Sequence, residues 1–196
     1  MKAGMAVYLP VRIRSMRSLR CRSRLSRGFV THRAQKIAAA RKALALIEEG
    51  DILFLDSSTT VYELALMLMK CNFDHLTVIT NSIAIMHLFR KFPPHWSMIS
   101  LGGNYDPQLN SILGVSALEQ LSRYNVSKAF VSAFGLDANN ATTNHERQAE
   151  ILHKVLDLAD KRYLAVDGSK FGRKGLYRIS ARGGFDAIIS DAAIKA

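Results

Sequence analysis

The stretch Ile52–Leu64, ILFLDSSTTVYEL, decides how the rest of the chain is read. Four apolar residues run directly into an aspartate and four consecutive hydroxyl residues, after which the apolar spacing becomes helical. An apolar run this short is a strand buried on both faces. The segment Thr60–Met69 then carries Val61, Leu64, Ala65 and Leu68 on one helical stripe. A strand that hands a carboxylate and hydroxyls to a helix start places them where backbone N–H groups are free and the helix dipole is positive. That is a place for an anion. The plain alternative is capping. Thr60 and Glu63 have the spacing of a capping box, which accounts for one hydroxyl and one carboxylate. It leaves Asp56, Ser57, Ser58 and Thr59 without a task.

The same pattern repeats outward. Upstream, AQKIAAARKALALIEEG predicts a helix from Ala34, with Ile37, Ala40, Leu44 and Ile47 on one face and Gly50 closing it. Downstream, LTVIT, MISLGG, KAFVSAFG, RYLAVDGSKFG and FDAIIS read as strands. NSIAIMHLFRKF, Gly114–Tyr124 and His145–Asp160 read as helices. Short apolar strands alternating with helices predict an α/β fold: a mostly parallel sheet covered by helices on both faces. Strand order cannot be read locally. The expected strand exits are alike in being small and polar, namely Asp56-Ser57-Ser58-Thr59-Thr60, Thr80-Asn81-Ser82, Gly102-Gly103, Gly135-Leu136-Asp137 and Asp167-Gly168-Ser169-Lys170. Ligands of open α/β sheets bind beyond the carboxyl ends of strands. Any one of these exits is more simply a turn or a cap; their recurrence marks a site.

Composition narrows the class. The chain has 196 residues, room for one ordinary domain, and is 48% hydrophobic and 22% charged. Its apolar runs are too short to span a membrane as a helix. Two cysteines, Cys21 and Cys71, make neither a disulfide framework nor a CxxC motif, which fits a reducing, cytoplasmic setting. The formal charge of +11 suggests nucleic acid until it is located. Twelve of the 27 Lys and Arg residues precede Glu48, the first carboxylate; the other 15 face 16 acidic residues. The body is therefore neutral. Residues 1–33 are expected to form a separate basic segment: a disordered arm that touches phosphates, a transit-type leader, or a non-native stretch from a displaced start. No helix-turn-helix pattern is visible in it. His32, His75, His87, His95, His145 and His153 show no i, i+4 pairing, so neither a metal site nor a cofactor is expected.

Taken in order, D-S-S-T-T, T-N-S, L-G-G, G-L-D and D-G-S-K-F-G, preceded by I-E-E-G-D, resemble the C-terminal effector-sensing domain of DeoR-type transcription regulators. The match covers about Lys36 to the C-terminus. The resemblance implies a fold like ribose-5-phosphate isomerase and CoA transferases, a phosphorylated sugar as effector, and a homo-oligomer. It also implies a winged helix-turn-helix module, the part that would meet DNA, which this sequence does not show. Carried over, Ser57, Ser58, Thr59 and Thr60 would cradle the phosphate, and Asp56 would bind a sugar hydroxyl or order the loop. Asn81, Gly102 and Gly103 would line the pocket, and Asp137, Glu146, Gln148 and Lys170 would face the sugar. Three positions depart from the family pattern: Ser58 and Asn140 stand where glycine is common, and Gln148-Ala149 where Glu-Ala is usual. An asparagine tolerates the left-handed backbone a glycine turn needs. A glutamine takes no proton, which argues against an isomerase unless Glu146 substitutes.

These readings order the functions. A sugar-phosphate sensor of a regulator stands first, for residues 34–196. An isomerase-like enzyme on the same fold, a nucleic-acid binder using its basic arm, and a ligandless remnant of a regulator are the alternatives.

Overall fold

The structure, a computed structural model, describes residues 30–191. The basic segment expected at residues 1–33 lies outside that range except for its last four residues.

Six parallel strands form the main sheet: β1 (Ile52–Leu55), β2 (Thr77–Thr80), β3 (Ser97–Ser100), β6 (Val126–Val131), β9 (Ala159–Ala165) and β11 (Ala187–Ile189). Their spatial order is β11-β9-β6-β1-β2-β3. From β1 the chain winds outward through β2 and β3, then crosses back to β6 and winds the other way. The β1/β6 boundary is thus a topological switch point, the crevice where open α/β sheets bind ligands.

Alternation along each strand explains why all of it is apolar. Leu53, Leu55, Val78, Phe130 and Ala165 pack on one face, with the helices α1 (Arg33–Leu44) and α2 (Thr59–Leu68). Phe54, Ile79, Ala129, Val131 and Leu164 pack on the other, with α4 (Val115–Leu121) and α5 (Glu146–Leu158). Successive side chains point to opposite faces, so a sheet covered on both sides needs apolar residues at every position. The remaining helix, α3 (Ile83–Met86), is a single turn followed by a 3-10 turn at Phe89–Lys91.

Four local expectations are corrected. The first helix ends at Leu44 rather than at Gly50, because Leu46 and Ile47 donate back to Ala43 and Leu44, three residues away, and tighten the chain out of the helix. Its buried face is Lys36 with Ala39, Ala40 and Ala43, and the three alanines let α1 lie close on α2. Ala159 and Asp160 belong to β9, not to the preceding helix; Ala159 pairs with Val126. The helix expected at NSIAIMHLFRKF breaks after Met86.

Two small antiparallel sheets were not foreseen. One pairs β4 (Asn104–Asp106) with β5 (Ser111–Leu113). The other orders β10 (Tyr177–Ala181), β8 (Asn140–Thr143) and β7 (Gly135–Leu136). The second stands beside the β6 exit. Its strands are held by the segment 171–175, which lies so close that a Cβ on Gly135 would sit 2.2 Å from the Arg173 carbonyl oxygen, and one on Gly175 would sit 2.6 Å from that of Thr143.

Candidate functional site

At the switch point the chain turns out of β1 at Asp56 and out of β6 at Ser132. Asp56 joins the two exits. Its backbone N–H donates to the Phe130 carbonyl at 3.2 Å. Its carboxylate accepts from Ser58 N at 2.9 Å through Oδ1 and from Ser132 N at 2.7 Å through Oδ2. The side chain is 1% exposed. Burial pushes its carboxyl above the usual range, against the pull of the Ser58 and Ser132 hydrogen bonds. Asp56 thus ties the β1 exit to the β6 exit. Ser57 is buried beside it.

The chain then enters α2. Its N-cap is Ser58, whose Oγ accepts from Val61 N at 3.2 Å, so the capping box expected at Thr60 and Glu63 does not form. Glu63 instead pairs with Arg33 of α1, at 2.9 Å. The first N–H groups of α2, those of Thr59 and Thr60, have no intrahelical acceptor.

Beyond the strands lies a cavity of about 490 Å³. The first turn of α2 contributes Ser58, Thr59 and Thr60, and the β6 exit Ser132, Ala133 and Phe134. Thr143, Asn144, His145 and Gln148 come from the β8–α5 junction, Lys170 from the β9 exit, and Leu109 from the β4–β5 hairpin. Five expected residues thus meet there: Ser58, Thr59, Thr60, Gln148 and Lys170. The lining holds hydroxyls, two amides, an imidazole and an ammonium, and no carboxylate.

Lys170 is set by the turn after β9. Asp167, 1% exposed, accepts from Ser169 N at 3.1 Å and from the Ser169 hydroxyl, while Gly168 N donates to Asp191 at 2.8 Å. Burial lowers the Lys170 ammonium below the usual lysine range; Asp167 opposes that and Arg173 adds to it. Lys36 of α1, which is buried, is lowered by burial too, and feels the charges of Asp167, Lys170 and Glu63.

The other expected residues lie off the cavity wall. Asn81, buried, donates through Nδ2 to Ser111 Oγ at 2.9 Å and fastens the hairpin. Gly102 N donates to the Gln120 side chain. Gly103 has φ of 143°, and a Cβ there would stand 2.8 Å from the Leu113 carbonyl oxygen. Asp137 accepts from Asn139 N at 2.8 Å and Asn140 N at 2.7 Å, which lowers its carboxyl and shapes the turn. Asn140 needs no left-handed backbone, since His32 and Asn110 alone among the described non-glycine residues have positive φ. Glu146 is exposed at the start of α5. Sequence reasoning missed Ser132, Phe134, Thr143, Asn144 and His145. Ser132 was legible in principle as a hydroxyl ending an apolar strand, but KAFVSAFG read straight through it.

No group of three or more His, Cys, Asp or Glu among the described residues could hold a metal ion, and none of their helices is long and apolar enough to cross a membrane.

Comparison with known proteins agrees with this geometry. Residues 31–192 match the family model of the DeoR C terminal sensor domain. The chain is 31% identical over 148 residues to the HTH-type transcriptional regulator IolR of Bacillus subtilis, covering 75% of this chain and 58% of that one. It is 31% identical to the lactose phosphotransferase system repressor of Lactococcus lactis (80% and 61%) and 33% identical to the L-fucose operon activator of Escherichia coli (82% and 65%). It spans about three fifths of the length of these relatives. Among solved structures it resembles the tetrameric eIF2B-beta2-delta2 complex from C. thermophilum (TM-score 0.58, 14% identity, 87% of this chain and 58% of that one). It also resembles a D-ribose-5-phosphate isomerase (TM-score 0.51, 17% identity, 71% and 54%), as the resemblance implied for the fold. The chain belongs to the DeoR family of transcriptional regulators, and residues 31–192 carry its C-terminal sensor domain.

Proposed function

We propose that the cavity at the β1/β6 switch point binds a phosphorylated sugar, and that this ligand is the signal of a regulator of sugar metabolism. The observation that carries the reading is the lining itself: the open end of α2, clustered hydroxyls and the Lys170 ammonium, with no carboxylate to repel an anion. Helix N-termini with free N–H groups favour phosphate, and a lysine serves it as a point charge. The phosphate is assigned to Ser58, Thr59 and Thr60, with Lys170 beside it and Gln148 toward the sugar. Asp56 acts through the loop it ties down. Asn81, Gly102, Gly103 and Asp137 support the surrounding turns, and Glu146 lies exposed at the start of α5. Residues 34–196 are proposed as the sensing unit of a cytoplasmic homo-oligomer, with DNA contact the task of a helix-turn-helix module outside them. The lactose and fucose regulators among the relatives support a sugar-derived effector.

The test is thermal denaturation with a panel of free and phosphorylated sugars. A ligand present at ~100 times its Kd adds about 2.7 kcal/mol, roughly 5–10 °C for a domain of this size. A shift for a phosphosugar but not for its free sugar is the expected result. A flat panel from a folded protein would sink the reading. The enzyme alternative needs a base over the carbon next to a carbonyl. Gln148 supplies none, and Glu146 lies off the wall. Turnover of any phosphosugar would reverse that judgement.

A further inference from the structure

Two side-chain amides line the cavity where β8 runs into α5, and both spend their carbonyl oxygens on the protein. Thr143, buried at the end of β8, donates from Oγ1 to Gln148 Oε1 at 2.6 Å. Asn144 Oδ1 accepts from Leu176 N at 3.2 Å. Gln148 Nε2 is not among the buried polar atoms left without a partner, and no protein acceptor lies against it among the described residues. Its two N–H groups are therefore open to the cavity. With its oxygen held by the Thr143 hydroxyl, the amide offers the cavity its donors first. Gln148 belongs to α5, on the opposite face of the sheet from α2, so it meets a different part of any ligand whose phosphate sits on Ser58–Thr60.

We propose that Gln148, locked by Thr143, is a specificity-determining residue that selects a ligand oxygen able only to accept: a carbonyl or, better, a carboxylate at the end away from the phosphate. The proposal rests on the phosphosugar reading of the cavity. A ligand hydroxyl at that end could also accept from Nε2, but its own proton would then need an acceptor. The wall holds no carboxylate, and each amide oxygen already accepts one hydrogen bond, so that proton is left to weaker neutral acceptors, a wall hydroxyl or the His145 imidazole. A carboxylate brings no such proton and forms the stronger, charge-assisted bond. The site therefore prefers phosphorylated sugar acids over the sugar alcohol phosphates of equal chain length.

Calorimetric titration of the full chain tests this with 5-phosphoribonate against ribitol 5-phosphate, 6-phosphogluconate against glucitol 6-phosphate, and inorganic phosphate. One hydrogen bond to a charged group corresponds to a preference of about tenfold or more for the acid. Gln148→Ala removes the donor, and the preference should fall to about threefold or less, within the residual attraction of Lys170 for the added charge. Gln148→Glu keeps an oxygen for Thr143 and turns an acceptor toward the ligand, so the alcohol should now bind tighter. Thermal melts of both variants confirm that they fold. Equal or tighter binding of the alcohol by the unaltered chain, or a preference that survives Gln148→Ala, overturns the role of Gln148 and leaves the phosphate reading standing. No binding of any probe overturns both.

Discussion

The two ends of the β1/β6 strand pair carry similar chemistry in opposite states. At the amino end Lys128, with 9% of its side chain exposed, meets Asp51 at 2.9 Å and Glu48 at 2.5 Å. Ser127 Oγ donates to Asp51 at 3.0 Å, and Glu48 N donates to its other oxygen at 2.7 Å. Burial works against the Lys128 charge, but its two carboxylate partners outweigh it and raise the ammonium above the usual range. At the carboxyl end Lys170 also loses water, yet the balance goes the other way and its ammonium is lowered. One lysine is finished as a structural part. The other is short of negative charge, and a bound anion would supply it. What separates the scaffold from the proposed site is thus not residue type but whether each donor drawn out of water already has its partner.

The sharpest way to break this contrast is Asp56→Ala, because Asp56 belongs to both categories. Its carboxylate satisfies two buried N–H groups, each costing about 1–3 kcal/mol when orphaned. A loss of about 4 kcal/mol is expected, or roughly 10 °C in melting temperature, together with loss of ligand response. Asp56→Asn keeps one acceptor and should lose about half as much. Unchanged melting for Asp56→Ala would show that the loop is held by something else.

Lys128→Met tests the scaffold end alone. Removing one partner of a buried pair leaves the other uncompensated, about 3–5 kcal/mol for full burial. Glu48 is 79% exposed and rehydrates, so about 3 kcal/mol is the expected loss, falling on the buried Asp51. Phosphosugar affinity measured well below the melting temperature should not move. A large affinity change would erase the distinction between the two ends.

Lys170→Met should do the reverse: little change in melting, and about 2 kcal/mol off phosphosugar affinity, the scale of a hydrogen bond to a charged group. The pH dependence follows from the direction of its shift. Affinity should rise as the phosphate loses its second proton near pH ~6. It should fall again on the alkaline side, starting below the ordinary lysine range, as the lowered ammonium gives up its proton. Because the bound anion favours the charged form, binding in that alkaline window takes up a proton. Lys170→Arg, which stays charged, should remove the alkaline fall. An alkaline limb that survives Lys170→Arg would assign the titration to another group.

How much of this contrast is legible in sequence depends on whether the signal is local. The strands were visible because burial on both faces makes every position apolar, and the exits because an apolar run ends abruptly in Asp56-Ser57 or Asp167-Gly168. Strand order was not visible. Nothing between Leu55 and Val126 says that their strands lie side by side, yet that adjacency brings Ser58 to Ser132 and makes the cavity. The same limit hid the carboxylate cluster on Lys128, whose partners lie 80 and 77 positions earlier in the chain. It also hid the Thr143–Gln148 lock, since β8 pairs only within a small sheet that local spacing does not announce. Gly102, Gly103 and Asp137 look like the cavity exits in sequence. Close packing of Gly103 against Leu113, a Gly102 N–H given to Gln120, and the turn of Asp137 to Asn139 and Asn140 give each of them a structural task.

Ser58 offers the finest cut between the two categories, with the smallest effect. Its Oγ accepts from Val61 N as a cap, while its hydroxyl proton faces the Asp56 carboxylate at the cavity wall, where a phosphate oxygen would compete for it. Ser58→Ala removes both and should cost about 1 kcal/mol of stability, the usual worth of a cap. Ser58→Gly restores most of that, because glycine caps nearly as well, to within a few tenths of a kcal/mol. Neither variant disturbs the Ser58 N–H bond to Asp56, which is backbone. Stability should therefore distinguish alanine from glycine, and phosphosugar affinity should not: both lose the hydroxyl and should weaken by the same few-fold factor. If affinity instead tracks stability, weak for alanine and intact for glycine, the hydroxyl serves the helix alone. The anion would then be held by the N–H groups of Thr59 and Thr60 and by Lys170.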